Sequence, residues 1–363
     1  MITLMKLEYV LSKLISSKTI SADKGESEAC LDQLQNTLQS AGLQTKKFAS
    51  QGFSSLVAST DDSKKTKVIL QAHIDVVPAS DHLFEMKQEG GKLYGRGVFD
   101  MKFAAACFIK LAEELKDSLE KFDFAIMLTS DEEVGGENGV KMLIDEGYVA
   151  DVCILPDGGD NWQIETDCNG AWLIKLTAKG KSSHGSRPWE GENAITNLID
   201  ALSEIREIFG ESDPSVSSLT ISQIEGGDAV NQVPGQATAC LDMRFVDEAD
   251  YLEKQRQINK IVSKHNLHSE TVAHCSSVHT DITQPHVAKF LEIAENIRKK
   301  PLGQMKSYGA SDARYFCDKG IPTILVRPEG GGAHSDEEWV DIASLNQYYE
   351  VLKAYVTEVA KKT

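Results

Sequence analysis

Four short apolar runs in this sequence stop in the same manner, and that shared ending limits the folds open to the chain. Val68-Ile69-Leu70 runs into Gln71-Ala72-His73-Ile74-Asp75, and residues 122–128 run into Thr129-Ser130-Asp131-Glu132-Glu133-Val134-Gly135-Gly136. Residues 152–155 lead to Pro156-Asp157-Gly158-Gly159, and residues 323–326 to Arg327-Pro328-Glu329-Gly330-Gly331-Gly332-Ala333-His334-Ser335. Short apolar runs bounded by turn residues read as buried strands. Helix-period segments lie among them, at 7–16, 25–40, 100–115 and 137–146. Strands alternating with helices predict an α/β fold, a mostly parallel sheet with helices on both faces. In such a sheet the carboxyl ends of the strands face one crevice, where ligands bind. Histidines and carboxylates at several of those ends therefore converge, and Gly-rich runs at three of them let the backbone turn sharply. At the first end, His73-x-Asp75 offers a ligand and a carboxylate able to fix its tautomer.

The texture changes near Gly170. Residues 171–179, 216–224, 236–245 and 269–275 read as strands, with helices at 192–209 and 250–264. The order β-α-β-β-α-β is that of a ferredoxin-like unit, and about 105 residues suffice for a compact inserted domain. The α/β pattern then resumes with helices at 287–299 and 311–319 and a last helix from Ser344. The expected division is a discontinuous domain of residues 1–169 and 276–363 around an insert of 170–275.

A formal charge of −17 argues against nucleic acid and anionic membranes as partners. No apolar run reaches the roughly 20 residues of a membrane span, and the first residues lack the order of a signal peptide. Seven scattered cysteines form no CxxC, which reads as reduced thiols. These features together point to the cytoplasm.

Taken singly, the strand-end residues have plainer readings. Asp100, after Gly95-Arg96-Gly97-Val98-Phe99, could be only a helix N-cap. Glu132-Glu133 could be solvated charges, and His334 an idle loop histidine. Their joint occurrence outweighs those readings. With them, the chain resembles the dinuclear zinc amidohydrolases that include acetylornithine deacetylase, succinyl-diaminopimelate desuccinylase, carboxypeptidase G and related di- and tripeptidases. The matching pieces are His73-Ile74-Asp75-Val76-Val77-Pro78, Gly95 to Lys102, Ser130-Asp131-Glu132-Glu133, and Ser183-His184-Gly185-Ser186-Arg187-Pro188. Asn231-Gln232-Val233-Pro234-Gly235, Gly309-Ala310-Ser311-Asp312-Ala313-Arg314 and Ala333-His334-Ser335 complete the set. They stand in the family's order over nearly the whole chain.

The resemblance implies a zinc-peptidase-like catalytic domain with an inserted ferredoxin-like dimerisation (lid) domain. It implies two Zn²⁺ per subunit, which Co²⁺ or Mn²⁺ could replace at nitrogen and oxygen ligands. His73 and Asp157 would bind one ion, Glu133 and His334 the other, and Asp100 would bridge them at a separation of about 3.5 Å. Asp75 would orient His73. Glu132 would be the general base for a two-zinc-bound hydroxide that attacks an amide carbonyl. In a homodimer, His184 would reach the partner's active site and help hold the oxyanion. Arg244 would grip a substrate carboxylate, with Asn231 an adjacent polar contact. Two dications balanced by Asp100, Glu133, Asp157 and hydroxide leave a neutral site, so the cation for a substrate carboxylate is expected from the insert. His82, His265, His268, His274, His279 and His286 match no motif position.

Substrate signals conflict. Asp157 and Gly158-Gly159 resemble the peptidases, while the overall length and compact insert resemble the biosynthetic N-acyl-amino-acid deacylases. The expected substrate is a short peptide, as for a di-/tripeptidase or carboxypeptidase, with an N-acyl amino acid (acetylornithine or succinyl-diaminopimelate type) the alternative. Phe103 stands where the family has glycine and would either narrow the pocket or pack beneath its helix. A non-catalytic relative would have lost a ligand or the base, and none is lost. A dinucleotide-binding enzyme would need a third glycine after Gly95-Arg96-Gly97.

Overall fold

The computed structural model describes residues 6–211, 213–309 and 311–362. Residues 6–166, 279–306 and 311–362 form one compact unit. The described residues of 167–278 form a second, together with 307–309.

The first unit is built on a six-stranded sheet. Its first five strands in chain order are β1 (Gln44–Ser50), β2 (Phe53–Ser59), β3 (Lys65–His73), β4 (Phe124–Thr129) and β5 (Val149–Ile154). The spatial order is β1-β2-β4-β3-β5, followed by the two-residue strand Thr323–Ile324. β3 runs parallel to both β4 and β5, and β5 is parallel to Thr323–Ile324. β1 and β2 form an antiparallel hairpin, and β2 is antiparallel to β4. The sheet is thus parallel where the strand-end motifs lie and antiparallel at one edge.

Every residue of β3 from Val68 to His73 is buried, and β4 is buried throughout; strands covered on both faces read as continuous apolar runs. β1 pairs on one side only, and its Lys46 and Lys47 break the apolar pattern, so sequence periodicity missed it. The helix expected over 100–115 begins at Lys102, leaving Asp100 and Met101 in the preceding turn. Ala104, Ala105 and Ala106 are buried in that helix, where small side chains allow close packing. Phe103 is fully buried and meets Tyr348 edge-on at 5.6 Å, so the ring packs beneath the helix.

The second unit holds an antiparallel sheet of β6 (Gly170–Lys179), β7 (Ser218–Gly226), β8 (Gln236–Phe245) and β9 (His268–Cys275), in the order β7-β8-β6-β9. Helices Ala194–Phe209 and Glu248–Lys264 complete the ferredoxin-like β-α-β-β-α-β order. Ile174, Leu176 and Ala178 of β6 and Ala239, Leu241 and Met243 of β8 point inward to those helices, while Lys175 and Lys179 point out. Such alternation fits a sheet with one covered face. Each helix opens on a side-chain cap: Asn193 accepts from the backbone N–H groups of Ile195 and Thr196, and Asp247 from that of Asp250.

Candidate metal centre

The parallel strands deliver their ends in register. His73 closes β3 opposite Thr129 of β4, and the backbone N–H of Ile74 bonds to the Thr129 carbonyl. The next residues of the two chains, Asp75 and Glu132-Glu133, therefore emerge side by side. The Asp75 carboxylate accepts from the backbone N–H of Glu132 at 3.3 Å, of Glu133 at 3.2 Å, and from Ser21 Oγ at 2.9 Å. Its own distance to His73 Nδ1 is 3.5 Å, whereas the Asp75 backbone carbonyl lies 3.0 Å from that nitrogen. The main chain of Asp75 thus holds the imidazole, and its carboxylate holds the Glu132-Glu133 turn.

With Nδ1 donating, His73 Nε2 carries the lone pair. It is buried, has no hydrogen-bond partner, and faces Asp100 Oδ1 at 3.5 Å and Asp157 Oδ1 at 3.9 Å. A buried, unpartnered imidazole nitrogen aimed at two carboxylates fits a divalent cation, because an orphaned buried polar atom is otherwise costly. One oxygen or nitrogen from each of His73, Glu132 and Asp157 lies within 4.8 Å of the others, and the same holds for Asp100, Glu133 and His334. His334 Nε2 is 3.2 Å from Asp100 Oδ2 and 3.1 Å from Glu133 Oε2. Asp100 thus turns one oxygen to His73 and the other to His334. The two groups could each hold a metal ion.

Charge crowding shifts these groups. Burial opposes protonation of His73, but Asp100, Asp157 and Asp75 outweigh it and hold the imidazole well above its ordinary range. Burial and the neighbouring Asp157 push Glu132 well above the carboxylate range. Burial would also raise Asp100, yet Arg327, His334 and His73 hold it well below. Asp100 and Glu133 lift His334 to about 10. That two imidazoles are drawn so far toward their charged form shows how strongly the surrounding carboxylates favour a cation.

Two residues that the strand-end pattern did not single out organise this site. Arg327 donates through Nη2 to Asp100 Oδ1 at 2.9 Å and to Asp157 Oδ1 at 2.6 Å. Backbone pairing puts it there: Leu155 N–H bonds to Ile324 O, and Arg327 N–H to Gly159 O. Gly159 has φ +71°, and a Cβ there would collide with the carbonyls of Leu325 and Gln163, so the turn after Asp157 requires glycine. Glu338, itself buried, gathers the Asp100 loop. Its carboxylate accepts from the backbone N–H groups of Gly97, Phe99 and Asp100 at 2.9–3.0 Å and from Arg96 Nη1 at 2.8 Å. Burial lifts the Glu338 carboxyl above its usual range while those N–H groups pull it back.

The remaining sequence candidates lie in the second unit. Ser183–His184 pairs antiparallel with Gln232–Val233, which brings His184 beside Asn231. The exposed His184 ring accepts the Ser186 backbone N–H at Nδ1 (3.2 Å), with Ser186 Oγ at 2.7 Å. Arg244 is engaged in a fork with Asp242, at 2.7 and 3.0 Å.

Oxygen and nitrogen donors gathered in two groups at the strand ends of an α/β sheet suit metal-assisted hydrolysis. The chain belongs to peptidase family M20/M25/M40, whose sequence model matches residues 69–358. It is 28% identical over 388 residues to a succinyl-diaminopimelate desuccinylase of Rickettsia felis, covering 98% of this chain and 100% of that one. Its fold is similar to a tripeptidase from Staphylococcus aureus (TM-score 0.79, 20% identity, 99% of both chains). It is also similar to an M20 family metallo-carboxypeptidase from Sulfolobus solfataricus (TM-score 0.74, 19% identity, 97% of this chain and 98% of that one). The chain is a metallohydrolase acting on amide bonds. Among the described residues, no helix is long and apolar enough to cross a membrane.

Proposed function

We propose that this enzyme cleaves short peptides at a two-metal centre, with His73 and Asp157 on one ion, Glu133 and His334 on the other, and Asp100 shared. The observation that carries this reading is the division of the Asp100 carboxylate, one oxygen facing each group. Zinc suits the mixed imidazole and carboxylate donors, and Co²⁺ or Mn²⁺ could replace it. When bound, such ions polarise the scissile carbonyl and acidify the attacking water.

The chain's own residues supply the rest. Glu132 takes a proton from the attacking water at its carboxylate and passes it to the leaving amine. Glu133, beside it, is committed to His334 and the metal, so the two neighbouring carboxylates divide the work. Asp75 holds the backbone of both. His184 acts in a homodimer on the partner's substrate. Because its Nδ1 accepts the Ser186 N–H, its proton sits on Nε2, suited to donating to an oxyanion. An exposed edge strand, β7, with Ile224 open to solvent, supports a dimer interface on the insert. Arg244 and Asn231 hold the substrate carboxylate once the Asp242 fork opens. Seven cysteines, none of them in a disulfide, support a cytoplasmic location.

A second reading is favoured by the Rickettsia relative: hydrolysis of an N-acyl amino acid of the succinyl-diaminopimelate or acetylornithine kind. A hydrolysis panel separates the two, with dipeptides and tripeptides set against N-succinyl-diaminopimelate and N-acetylornithine under added Zn²⁺, Co²⁺ or Mn²⁺. The peptide reading predicts kcat/KM at least about tenfold higher for a peptide. The reverse ranking overturns it, and purified protein without tightly held metal overturns the two-metal centre.

A further inference from the structure

Between the carboxylates of the centre lies a cation that the two-metal reading leaves unused. The Arg327 side chain is 8% exposed, and each of its three guanidinium nitrogens has a partner. Nη2 serves Asp100 and Asp157, Nη1 reaches Asp160 Oδ1 at 3.3 Å, and Nε donates to the Pro156 carbonyl at 3.2 Å. With every nitrogen already bonded within the protein and its side chain buried, it is not a substrate clamp. The two oxygens it grips, Oδ1 of Asp100 and Oδ1 of Asp157, are those that face His73 Nε2. The Glu133–His334 group meets Asp100 through the other oxygen.

We propose that Arg327 is a positioning residue that makes the two metal positions unequal, weakening cation binding between His73 and Asp157 and leaving the Glu133–His334 position the tighter one. The inference rests on the two-metal reading above. Two effects point the same way. A divalent ion entering beside His73 meets a fixed positive charge across a poorly screened gap. Before it enters, that charge already stabilises two adjacent buried carboxylates, so the metal gains less by arriving. A third effect opposes them: a partner that orients a ligand carboxylate commonly raises metal affinity, and its loss costs about 10–100-fold. Asp157 has a second restraint, since its backbone N–H bonds to the Leu155 carbonyl. Its position therefore depends less on Arg327 than its charge balance does.

The test is a Mn²⁺ titration of chelator-stripped protein, followed by calorimetry and by the electron paramagnetic resonance of free Mn²⁺. The wild type should bind two ions with dissociation constants at least about tenfold apart, and Asp157→Asn should remove the weaker step. Arg327→Met, neutral and of similar length, should tighten the weaker step at least about tenfold and move the tighter one less than about threefold. Arg327→Lys keeps the charge without the fork and should behave as wild type; if Arg327→Met does not fold by circular dichroism, Arg327→Gln takes its place. Equal wild-type constants overturn the proposal, as does a weaker step that stays put or loosens when the charge is removed. Wild type that binds one ion or none defeats the two-metal reading itself. Two ions with an unresponsive weaker step defeat only the role of Arg327.

Discussion

Replacing Glu338 by Gln should loosen the Asp100 loop while leaving the fold standing. The Glu338 carboxylate and the Arg96 guanidinium are 1% and 3% exposed and 2.8 Å apart. Glutamine keeps one acceptor oxygen for the N–H groups of Phe99 and Asp100, but its amide N–H₂ then confronts Arg96 and Gly97, donor against donor. Breaking a buried ion pair from one side costs about 3–5 kcal/mol. Taking about 3 kcal/mol as the share borne by local opening, and 1.36 kcal/mol per tenfold, amide exchange across residues 95–101 should accelerate more than a hundredfold. Hydrogen–deuterium exchange read by mass spectrometry measures this on the peptide carrying Gly97, Phe99 and Asp100. β6 of the insert serves as the internal standard and should not change. Protection of the loop within about threefold of wild type would refute the assignment of Glu338 as its anchor. So would an acceleration shared equally by β6, since that reports a loss of global stability.

Glu132→Ala should lower kcat by about 10²–10⁴-fold with bound metal retained; near-wild-type turnover at full metal content removes Glu132 as the base. Arg244→Ala should raise KM about tenfold with kcat little changed, and Asp242→Ala, which frees the guanidinium from its fork, should lower KM; steady-state kinetics on a peptide decides. Glu114 lies 2.7 Å from both Lys110 and Lys353, and although burial opposes ionisation these ammonium groups bring its carboxyl down to about 2. A carboxyl depressed on folding contributes stability that is full above its unfolded value near 4.3 and is lost as pH falls toward 2. Glu114→Gln should therefore cost about 1–2 kcal/mol at neutral pH, after discounting for solvent screening, and approach wild type by about pH 2–3 in urea unfolding. Phe103→Ala should cost about 3–5 kcal/mol in the same assay with KM unchanged, because the ring packs on Tyr348 beneath the helix.

The strand-end residues were legible because their signal is local: an apolar run and the polar residues that follow it. His73, Asp75, Glu132, Glu133, Asp157 and His334 all belong to such endings, and the parallel pairing of β3 with β4 and β5, and of β5 with Thr323–Ile324, places those endings side by side. Asp75 does more than its place beside His73 implies: its backbone carbonyl lies against the His73 ring, and its carboxylate also holds the Glu132-Glu133 turn. Arg327 stood in plain view at the last strand end, yet its partners are 170 and 227 positions away, and no periodicity reports a contact of that span. Glu338 acts 238–242 positions from the groups it binds, with the same result. The edge strand β1 was hidden for another reason: its lysines erase the apolar alternation that marks a strand.

Arg327 and Glu338 also set a sequence of events for a chain made from its amino end. From Asp157 to Glu338 the ribosome adds 338 − 157 = 181 residues, which at about 5–20 residues per second takes about 10–40 s. For most of that interval the acidic side chains of the first three motif-bearing strands are already made, while the guanidinium that bridges Asp100 and Asp157 is not, and the acceptor for the Gly97–Asp100 amides arrives only at its end. The whole insert is synthesised within the same interval and can fold on its own contacts. The hydrolytic centre therefore cannot be completed before Glu338 is made, and a nascent chain stalled before Arg327 holds its carboxylates without the charge that reconciles them.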